Sequence, residues 1–501
     1  FTLLLALGLT LNAWGATKNE IFELNDGKVY TLEDLSKIEE SGVTKTADLT
    51  YSLVKDIELQ GTTGFKLENK SVVKLGPAVM IRVYGPTQFD VADTATVCAA
   101  EAGNKCKGFH IYQMHATDRT ISHVRFEEAG ISIGNEQGAV VENCSFVKSN
   151  GELSKYAVTF SAASINNVVR NCYFLNTKFS AVGNGSNVAA GITIENNVFE
   201  KCSTEGRNYP YINVCPSGNN GGTYIRFNKI IGGQGLMAGA ISFANMLSML
   251  GENKVVIENN EMSDCRYGIQ VMGYCDARVR NNRVINCHYE ANANNGGSGI
   301  TVSSSSATYV AKAYLEGNYI DGCLWGVTVI KTALVNMGCL ETNIPDVEYN
   351  PGGNELRNNG NCGKAPEGQT TAFDPSIPYD LYNNTTSTIY AQGNVWGGAD
   401  QSAAEIEKRI VHKADDENLG EVIFMPAGTG DVVSITADNV FDVAVNGTSV
   451  TVTGVEEGTP VNVYDMSGAL VGKGVAGEAI TLGCRGTVIV AAGTVARKVA
   501  L

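Results

Sequence analysis

Three residue pairs that each follow a cysteine have the chemistry to contact a sugar. They are Arg266–Tyr267 after Cys265, His288–Tyr289 after Cys287, and Leu324–Trp325 after Cys323. Aromatic faces pack on sugar rings, and an adjacent arginine or histidine can bond a carboxylate. The spacing predicts one aromatic column, with Arg266, Tyr267, His288, Tyr289 and Trp325 as carbohydrate contacts. The alternative interpretation is an inward stack of rings that fills a corner of the core.

A second group of polar residues lies in "HIYQMHATDRTISHVRF", which contains His110, His115, His123, Arg119 and Arg125. The histidines lack a metal-ligand spacing on a helix, although in strands they could share a face. Surface polar positions are the simpler interpretation. The sequence shows no metal cluster and no nucleophile–base pair, so we predict no metal site and no cofactor, and we assign no catalytic residue. Ca²⁺ is conceivable, but no motif for it is present.

An internal repeat supplies the elements that must position these residues. Seven segments align without gaps: "VVENCSFVKS", "VVRNCYFLNT", "ITIENNVFEKC", "TYIRFNKIIGG", "VVIENNEMSDC", "ARVRNNRVINC" and "AYLEGNYIDGC". One position holds cysteine in the first two segments and asparagine in the others, namely Asn197, Asn228, Asn260, Asn282 and Asn318. Equivalent amides in successive coils can bond one another, so we predict a structural asparagine ladder.

Two other positions of the repeat predict where side chains face. The residues two before the ladder alternate in charge: Glu142, Arg170, Glu195, Arg226, Glu258, Arg280 and Glu316. Alternating signs attract where like charges would repel, so we predict an outward column in which each residue lies beside its opposite. Five residues after the ladder, Cys202, Cys265, Cys287 and Cys323 share a position with Ser, Thr and Gly, which predicts buried free thiols.

The strand pattern predicts the fold class. Period-two alternation in short segments without helices between them excludes βαβ units. Ladder positions as close as 22 residues, with one residue type at each position, are typical of stacked coils about 4.8 Å apart. We therefore predict an all-β chain: a right-handed parallel β-helix, or solenoid, with an N-terminal cap and a small C-terminal β-sandwich domain.

The chain is predicted to have four parts. Residues 1–16, "FTLLLALGLTLNAWGA", resemble a truncated secretory signal peptide, with a buried strand as the alternative. Residues 17–108 form an N-terminal cap and the first coils, with a helix capped by Thr31 and a disulfide between Cys98 and Cys106. Residues 109–425 form the β-helix and its closing cap, with an irregular insertion at 341–387 that could overhang a groove. Residues 426–501 form the β-sandwich.

The composition limits the class of partner. The 501-residue chain carries a net charge of −15, and 18% of its residues are charged. A nucleic acid or an anionic membrane needs a basic face, so neither is a predicted partner. No segment after the N-terminus is apolar enough to be a predicted transmembrane span.

The repeated segments, the ending "NVWGG" and the following "GEVIFMP" resemble right-handed parallel β-helix repeat proteins of the pectate-lyase-like superfamily. The segments "VNVYDMSGALV", "AITLGCRGTVIV" and "ARKVAL" resemble the C-terminal sorting domain of type IX secretion in Bacteroidetes. The second resemblance implies transit through that secretion machinery, removal of the tail, and either release or attachment at the outer-membrane surface. The first implies the fold but not an activity.

Three functions follow from these observations. The first is a secreted or cell-surface, monomeric β-helix protein that binds polysaccharide or a surface glycan. The second is a polysaccharide lyase or glycoside hydrolase that acts on an acidic glycan. The third is a non-catalytic adhesin or structural surface protein. The sequence leaves open whether the chain is an enzyme and which glycan it would recognise.

Overall fold

A computed structural model describes most of the chain. The described residues are 20–184, 188–215, 222–233, 235–246, 251–428, 442–446, 448–455, 457–465, 470–483, 487–492 and 495–500. The predicted signal peptide therefore lies outside them. Contacts divide the chain into two compact units, one up to Gly428 and one from Thr429 onward.

The first unit is a right-handed parallel β-helix, as predicted, in which each regular coil contributes one strand to each of three long sheets. The chain runs from sheet 2 through a sharp corner to sheet 3, and then through a longer turn to sheet 1. Every strand pair between coils is parallel, apart from the N-terminal pair Val43–Ala47 and Thr50–Leu53. Equivalent residues of neighbouring coils therefore lie side by side about 4.8 Å apart.

Sheet 1 extends over nearly the whole unit. Its strands are Ile21–Leu24, Val29–Tyr30, Asp56–Leu59, Gly64–Glu68, Met80–Asp90, Gly108–Met114, Gly130–Ile133, Tyr156–Phe160, Ser180–Asn184, Ile212–Val214, Ile241–Asn245, Ile269–Gly273, Ser298–Ser303, Trp325–Lys331, Leu381–Thr385 and Ile410–Val411. Short segments of the form Gly-apolar-x-apolar, such as "GISI", "GIQV", "GITV" and "GVTV", belong to this sheet.

Sheets 2 and 3 meet at the asparagine corner. The strands of sheet 2 are Thr120–Ser122, Val140–Glu142, Ser164–Arg170, Ala190–Glu195, Thr223–Arg226, Asn253–Glu258, Cys275–Arg280, Ala311–Glu316, Leu334–Gly338, Ile389–Ala391 and Val422–Ile423. The strands of sheet 3 are Val43–Ala47, Thr50–Leu53, Val72–Leu75, Ala95–Ala99, Val124–Glu127, Ser145–Val147, Tyr173–Leu175, Val198–Glu200, Lys229–Ile231, Glu261–Ser263, Arg283–Ile285, Tyr319–Asp321 and Glu355–Arg357.

Where two asparagines occur in a row at this corner, each has its own structural role. The first adopts a left-handed backbone, with φ of 55° at Asn196 and 54° at Asn259, a conformation that asparagine tolerates better than most residues. The second points inward and bonds the next coil. Phe227 occupies the first position with φ of 55° and leaves its ring 46% exposed, so one coil places a bulky residue at the strained position.

The interior is filled by columns of identical residue types. Phe126, Phe146, Phe174 and Phe199 stack with centroid distances of 4.8–5.0 Å and nearly parallel rings. All four are fully buried. The stacking distance matches the separation of parallel strands, so one apolar position per coil produces a continuous core.

Short helices lie near both ends of the solenoid. A helix spans Leu32–Ser36, and Thr31 caps it in a reciprocal capping box with Asp34. A 3₁₀ turn, Glu39–Ser41, follows. At the other end the helix Ala403–Glu407 precedes the last strands, and Trp396 is buried in the interior.

The predicted insertion 341–387 contains one further coil, because Glu355–Arg357 joins sheet 3 and Leu381–Thr385 joins sheet 1. Residues 358–380 leave the coil at the turn into sheet 1 and form the hairpin Gly360–Asn361 with Phe373–Pro378. A short 3₁₀ turn, Ala293–Asn295, lies in the equivalent turn two coils earlier. The two segments bond each other, for example from the Ala293 amide to the Gly363 carbonyl at 2.9 Å.

The second unit contains two antiparallel sheets. One comprises Asp442–Asn446, Ser449–Thr453 and Ala479–Thr481, and the other comprises Pro460–Asp465, Leu470–Val475, Thr487–Ala492 and Val495–Ala500. It has its own apolar core, which includes Val450, Val461, Ile480 and Val490. Within the described parts of the chain, no helix has the length and apolarity to cross a membrane.

Candidate functional site

The predicted aromatic column is only partly present. Strand register places Ser298 opposite Trp325, and in the preceding coil the Gly268 amide, next to Tyr267, donates to the Ser298 carbonyl at 3.1 Å. Tyr289 lies outside this column, so the prediction of three aromatic residues in one column is wrong. The physical reason is that Tyr289 belongs to a turn inserted between Cys287 and the strand Ser298–Ser303, which restores the register only after the aromatic residue.

Tyr267 is packed rather than open to a ligand. Its side chain is 5% exposed, and its hydroxyl donates to Asn208 Oδ1 at 3.2 Å. The ring lies against Gly239, where an added Cβ would come within 2.1 Å of it. Burial raises the pKa of Tyr267, so the phenol stays protonated. These contacts correspond to the alternative interpretation of a ring that fills a corner.

Arg266 and His288 hold the inserted turn. Arg266 Nη2 lies 2.6 Å from Glu290 Oε2 and also donates to the Asn295 carbonyl at 3.0 Å. His288 stacks on Phe373 with ring centroids 4.3 Å apart, and its Nδ1 lies 2.5 Å from the Gly322 carbonyl. Burial lowers the pKa of His288, so the ring is neutral near pH 7. The side chains of Arg266 and His288 therefore hold the inserted turn and its neighbouring segments in place.

Trp325 is half-buried at the start of its strand in sheet 1. Its Nε1 donates to the Ala293 carbonyl at 2.9 Å, which fixes the indole against the inserted turn. The ring stacks on Tyr382 with centroids 5.2 Å apart and contacts Tyr379 at 4.6 Å. Neither tyrosine is fully buried. Of the predicted contact residues, Trp325 therefore has the surroundings nearest to an aromatic platform.

The five predicted ladder asparagines are buried and bond one another in sequence. In each step the side-chain Nδ2 donates to the Oδ1 of the next asparagine at 2.9–3.0 Å, from Asn197 through Asn318. Asn354 and Asn394 extend the ladder by two coils. The segment "ELRNNGNC" echoes the repeat and predicts that Arg357 continues the charged column of sheet 2. That prediction is wrong, because Arg357 lies on sheet 3 opposite Asp321.

The cysteine predictions have different outcomes. Cys202, Cys265, Cys287 and Cys323 are buried free thiols, as predicted. The predicted disulfide between Cys98 and Cys106 is wrong, because both thiols are free. Cys98 follows the inward-facing Val97 in its strand and so faces outward, whereas Cys106 is fully buried and its Sγ lies 3.4 Å from the Glu128 carbonyl.

The charged column of sheet 2 faces outward with opposite charges in register, as predicted. Its ion pairs form between alternate neighbours. They are Glu142 with Arg170, Glu195 with Arg226, and Glu258 with Arg280, at 2.6–2.9 Å. The arginine side chains are 36–43% exposed, so each pair contributes little to stability on its own.

The three histidines of the second predicted group do not converge. His110 lies in a strand of sheet 1, His115 bonds Thr117 just after that strand, and His123 forms the corner between sheets 2 and 3 with φ of 56°. Across the described ranges, no group of three or more His, Cys, Asp or Glu side chains is arranged to hold a metal ion.

A different cluster forms around His110 on the outer face of sheet 1. Arg82 and Tyr84 lie two residues apart in one strand, and His110 and Tyr112 lie two apart in the next, so all four project from the same face. Tyr112 stacks on Tyr84 at 4.3 Å and on His110 at 4.2 Å. Its side chain is 37% exposed. We call these four residues the tyrosine–histidine cluster.

The electrostatics of this cluster keep its polar groups in defined states. Arg82 Nη1 lies 3.2 Å from Glu58 Oε2 and 3.8 Å from Asp56 Oδ2, so its charge is balanced by carboxylates. Burial, with the charge of Arg82, lowers the pKa of His110 and leaves a neutral imidazole near pH 7. Burial, with a hydrogen bond to Tyr112, raises the pKa of Tyr84 to about 12 and leaves a protonated phenol.

The arrangement can contact a sugar and could move a proton. The stacked rings present an apolar surface with hydroxyl groups at its edge. His110 Nε2 is buried without a hydrogen-bond partner among the described residues, so it retains an unused donor or acceptor. The sequence analysis missed Tyr84 and Tyr112, because these coils lack the asparagine motif. The signal available was the repetition of "RVY" and "HIY" in successive strands.

Comparison with known proteins finds matches among solved structures alone. No protein-family model and no curated protein matches the chain. Solved structures that match include crystal structures of the periplasmic alginate epimerase AlgG. A mutant form has a TM-score of 0.47 and 13% sequence identity, over 81% of this chain and 85% of that chain. Another structure of the same epimerase has a TM-score of 0.39 and 12% identity over the same shares.

Proposed function

We propose that this protein binds a polysaccharide along the outer face of sheet 1, with the tyrosine–histidine cluster as a contact site. The observation that carries the proposal is the partly exposed stack of Tyr84, Tyr112 and His110 beside a charge-balanced arginine. Preformed aromatic rings with a few oriented polar groups are typical of sites that bind sugars, since little side-chain freedom is lost on binding.

The test is the substitution Tyr112→Ala. Loss of the central ring should lower the affinity for the bound polysaccharide about five- to tenfold, because one aromatic contact is worth roughly 1 kcal/mol. Binding would first be located by affinity electrophoresis against a panel of neutral and acidic polysaccharides, and then measured by calorimetry. Tyr112→Phe, which keeps the stack, should bind within about twofold of the parent protein.

Tyr224→Ala provides a matched control. Tyr224 is 41% exposed, but it lies on sheet 2 rather than sheet 1. Its removal should leave the affinity unchanged. Equal losses for Tyr112→Ala and Tyr224→Ala, or unaltered binding by Tyr112→Ala, would contradict the proposal. Melting temperatures of all three variants separate an effect on binding from an effect on folding.

A second candidate function is acid–base chemistry on the bound glycan. The observation that favours it is the Nε2 of the neutral His110, which has no hydrogen-bond partner among the described residues, in a ring stacked on Tyr112. A neutral imidazole can act as the general base of a lyase. His110→Gln should then abolish the formation of unsaturated ends while glycan binding persists. If the parent protein binds a glycan but forms no product from it, the catalytic function is contradicted and the non-catalytic function stands.

Export to the cell surface is also part of the proposed function. It is supported by the apolar N-terminal stretch and by the resemblance of "VNVYDMSGALV" and "AITLGCRGTVIV" to a type IX sorting domain. Fusing residues 426–501 to a periplasmic reporter in a host with that secretion system tests the route. The reporter should reach the surface or the medium only with the intact tail.

A further inference from the structure

The three outer faces of the solenoid differ in charge. Nine successive strands of sheet 1, from Gly130–Ile133 to Leu381–Thr385, contain a single charged residue, Lys331, at the end of its strand. Over the same coils the strands of sheet 2 carry many charged residues: Glu142, Arg170, Glu195, Arg226, Lys254, Glu258, Asp276, Arg278, Arg280, Lys312 and Glu316.

Sheet 3 is charged in the same way. Its strands over these coils contain Glu200, Lys229, Glu261, Arg283, Asp321, Glu355 and Arg357. Solvent-facing positions of a protein normally include many charged side chains, which keep the surface hydrated. On sheet 1 part of the outward surface is buried, but its half-buried outward residues, such as Gln270, Thr301 and Thr328, are uncharged as well, which indicates that this face has a different task.

The outward column of sheet 1 carries neutral hydrogen-bonding groups instead. Strand register aligns Ser132, Thr159, Gly183, Asn213, Ser242, Gln270, Thr301, Thr328 and Tyr382. Ser132, Thr159, Gly183 and Ser242 are buried, whereas Asn213, Gln270, Thr301, Thr328 and Tyr382 are half-buried, so the accessible part of the column lies mainly between Gln270 and Tyr382. Ser298 Oγ and Thr328 Oγ1 lie 2.9 Å apart, so hydroxyl groups of neighbouring coils are already within bonding distance.

Aromatic residues stand at both ends of this neutral strip. The tyrosine–histidine cluster precedes Ser132, and the stacked Trp325 and Tyr382 close the far end. From the strand that contains Arg82 to the strand that contains Tyr382 there are ten steps along sheet 1, or about 48 Å at about 4.8 Å per step. Tyr156 crosses the strip near its middle, where its hydroxyl accepts from Asn213 Nδ2 at 3.2 Å.

Hydroxyl and amide side chains bond the hydroxyl groups of a neutral sugar as well as they bond water. They offer no countercharge to a polyanion, and a chain with a net charge of −15 repels one. On sheet 1, Arg82 before the strip is already balanced by Glu58 and Asp56, and Lys331 lies at the very end of its strand. We infer that the ligand of sheet 1 is a linear, uncharged polysaccharide rather than a uronic-acid polymer. The inference rests on the proposed polysaccharide binding, and it excludes the lyase function, because β-elimination needs the carboxyl group of a uronic acid.

Carboxyl reduction gives the matched ligands for a test. Polymannuronate and polygalacturonate would each be compared with the neutral polymer obtained by reducing its carboxyl groups, alongside xylan and soluble cellulose oligosaccharides, at 0.15 M salt. At least one neutral polymer should bind, at least tenfold more tightly than either uronate. Tighter binding of a uronate would overturn the inference while the proposed function stands. Binding of nothing in the panel would contradict the proposed function as well.

A pair of threonine substitutions locates the ligand on the molecule. Thr301→Arg places a bulky cation on the strip and should weaken binding of the neutral polymer at least tenfold. Thr193→Arg makes the same change at a half-buried outward position of sheet 2 and should leave affinity within twofold. Unaltered binding by Thr301→Arg would overturn the assignment. The assignment would also be overturned if the parent protein is a dimer that Thr301→Arg dissociates, because the face would then bind a second copy of the chain.

Discussion

The thiol of Cys202 illustrates how an interior position changes the chemistry of one residue. Cys202 is fully buried, and this burial raises its pKa from 9.0 to about 11. Between these values the unfolded thiol is ionised while the folded thiol keeps its proton. Its contribution to stability is therefore complete below pH 9 and is lost as the pH rises toward 11.

We expect the free energy of unfolding to fall less steeply with pH when this thiol is removed. Between pH 9 and 11 the slope for Cys202→Ala should be shallower than that of the parent protein by about 1.4 kcal/mol per pH unit. Urea titrations at several pH values, with reducing agent present, measure both slopes. Parallel slopes would show that the thiol ionises in the folded protein.

The sequence predicted single residues correctly where the side chain has the same environment in every coil. The ladder asparagines are one case, since each bonds its own equivalent one coil away. The buried thiols are another, since each lies near the carbonyl oxygen of the residue two before it. Tyr289 failed because its place depends on where an inserted turn rejoins the sheet, which spacing within the motif does not determine. Tyr112 was missed for a related reason: the corner between sheets 2 and 3 in its coil lacks paired asparagines.

At the scale of an element, the ladder corner should be the least tolerant part of a coil. Asn260 Oδ1 accepts from both the backbone amide and the Nδ2 of Asn228, and Asn260 Nδ2 donates to the Ile225 carbonyl at 2.8 Å. Asn260→Ala leaves these buried groups without partners. We expect a loss of about 3 kcal/mol or more in the free energy of unfolding.

The neighbouring residue supplies the control for this measurement. Glu261 follows Asn260 in the same coil, but its side chain is exposed on sheet 3. Glu261→Ala should change the free energy of unfolding by less than about 0.5 kcal/mol. Chemical denaturation of both variants gives the comparison, and similar costs at the two positions would argue against a structural ladder.

The sequence predicted the regular elements well and the interrupted ones poorly. The helix after Thr31 and the paired strands of each repeat follow from local capping and alternation. Asn354 and Asn394 were missed as ladder residues because long turns separate them from the aligned repeats, and the misplacement of Arg357 has the same origin. A turn of variable length carries no periodic signal from which register could be recovered.

At the scale of the whole molecule, the two compact units should be separable. Each has a core of its own, one inside the solenoid and one among residues such as Val450 and Val490. A chain that ends at Gly428 should therefore fold cooperatively, melt within about 3 °C of the solenoid transition of the full chain, and retain its polysaccharide binding. Calorimetry and the binding assay test this. Aggregation or a non-cooperative transition would show that the second unit is needed for folding.

The face proposed to bind the ligand can be recognised only in the whole molecule. Alternation within one strand shows which side chains face outward, but only the stacking of all coils shows that two faces are charged and one is neutral. The strands of sheet 1 follow turns of unequal length, so their alignment could not be read from the repeat motif alone. For this reason the fold was predictable from the sequence, whereas the tyrosine–histidine cluster and the neutral strip were not.

The alternating column on sheet 2 restricts how such a protein can lengthen in evolution. Its ion pairs join coils two by two, so the charge pattern repeats every second coil. Duplication of a single coil would set two glutamates or two arginines side by side on that face. Duplication of two coils preserves every opposite pair. The gene segment that can be copied without an electrostatic cost therefore encodes a pair of coils, and growth in this region is expected in even steps.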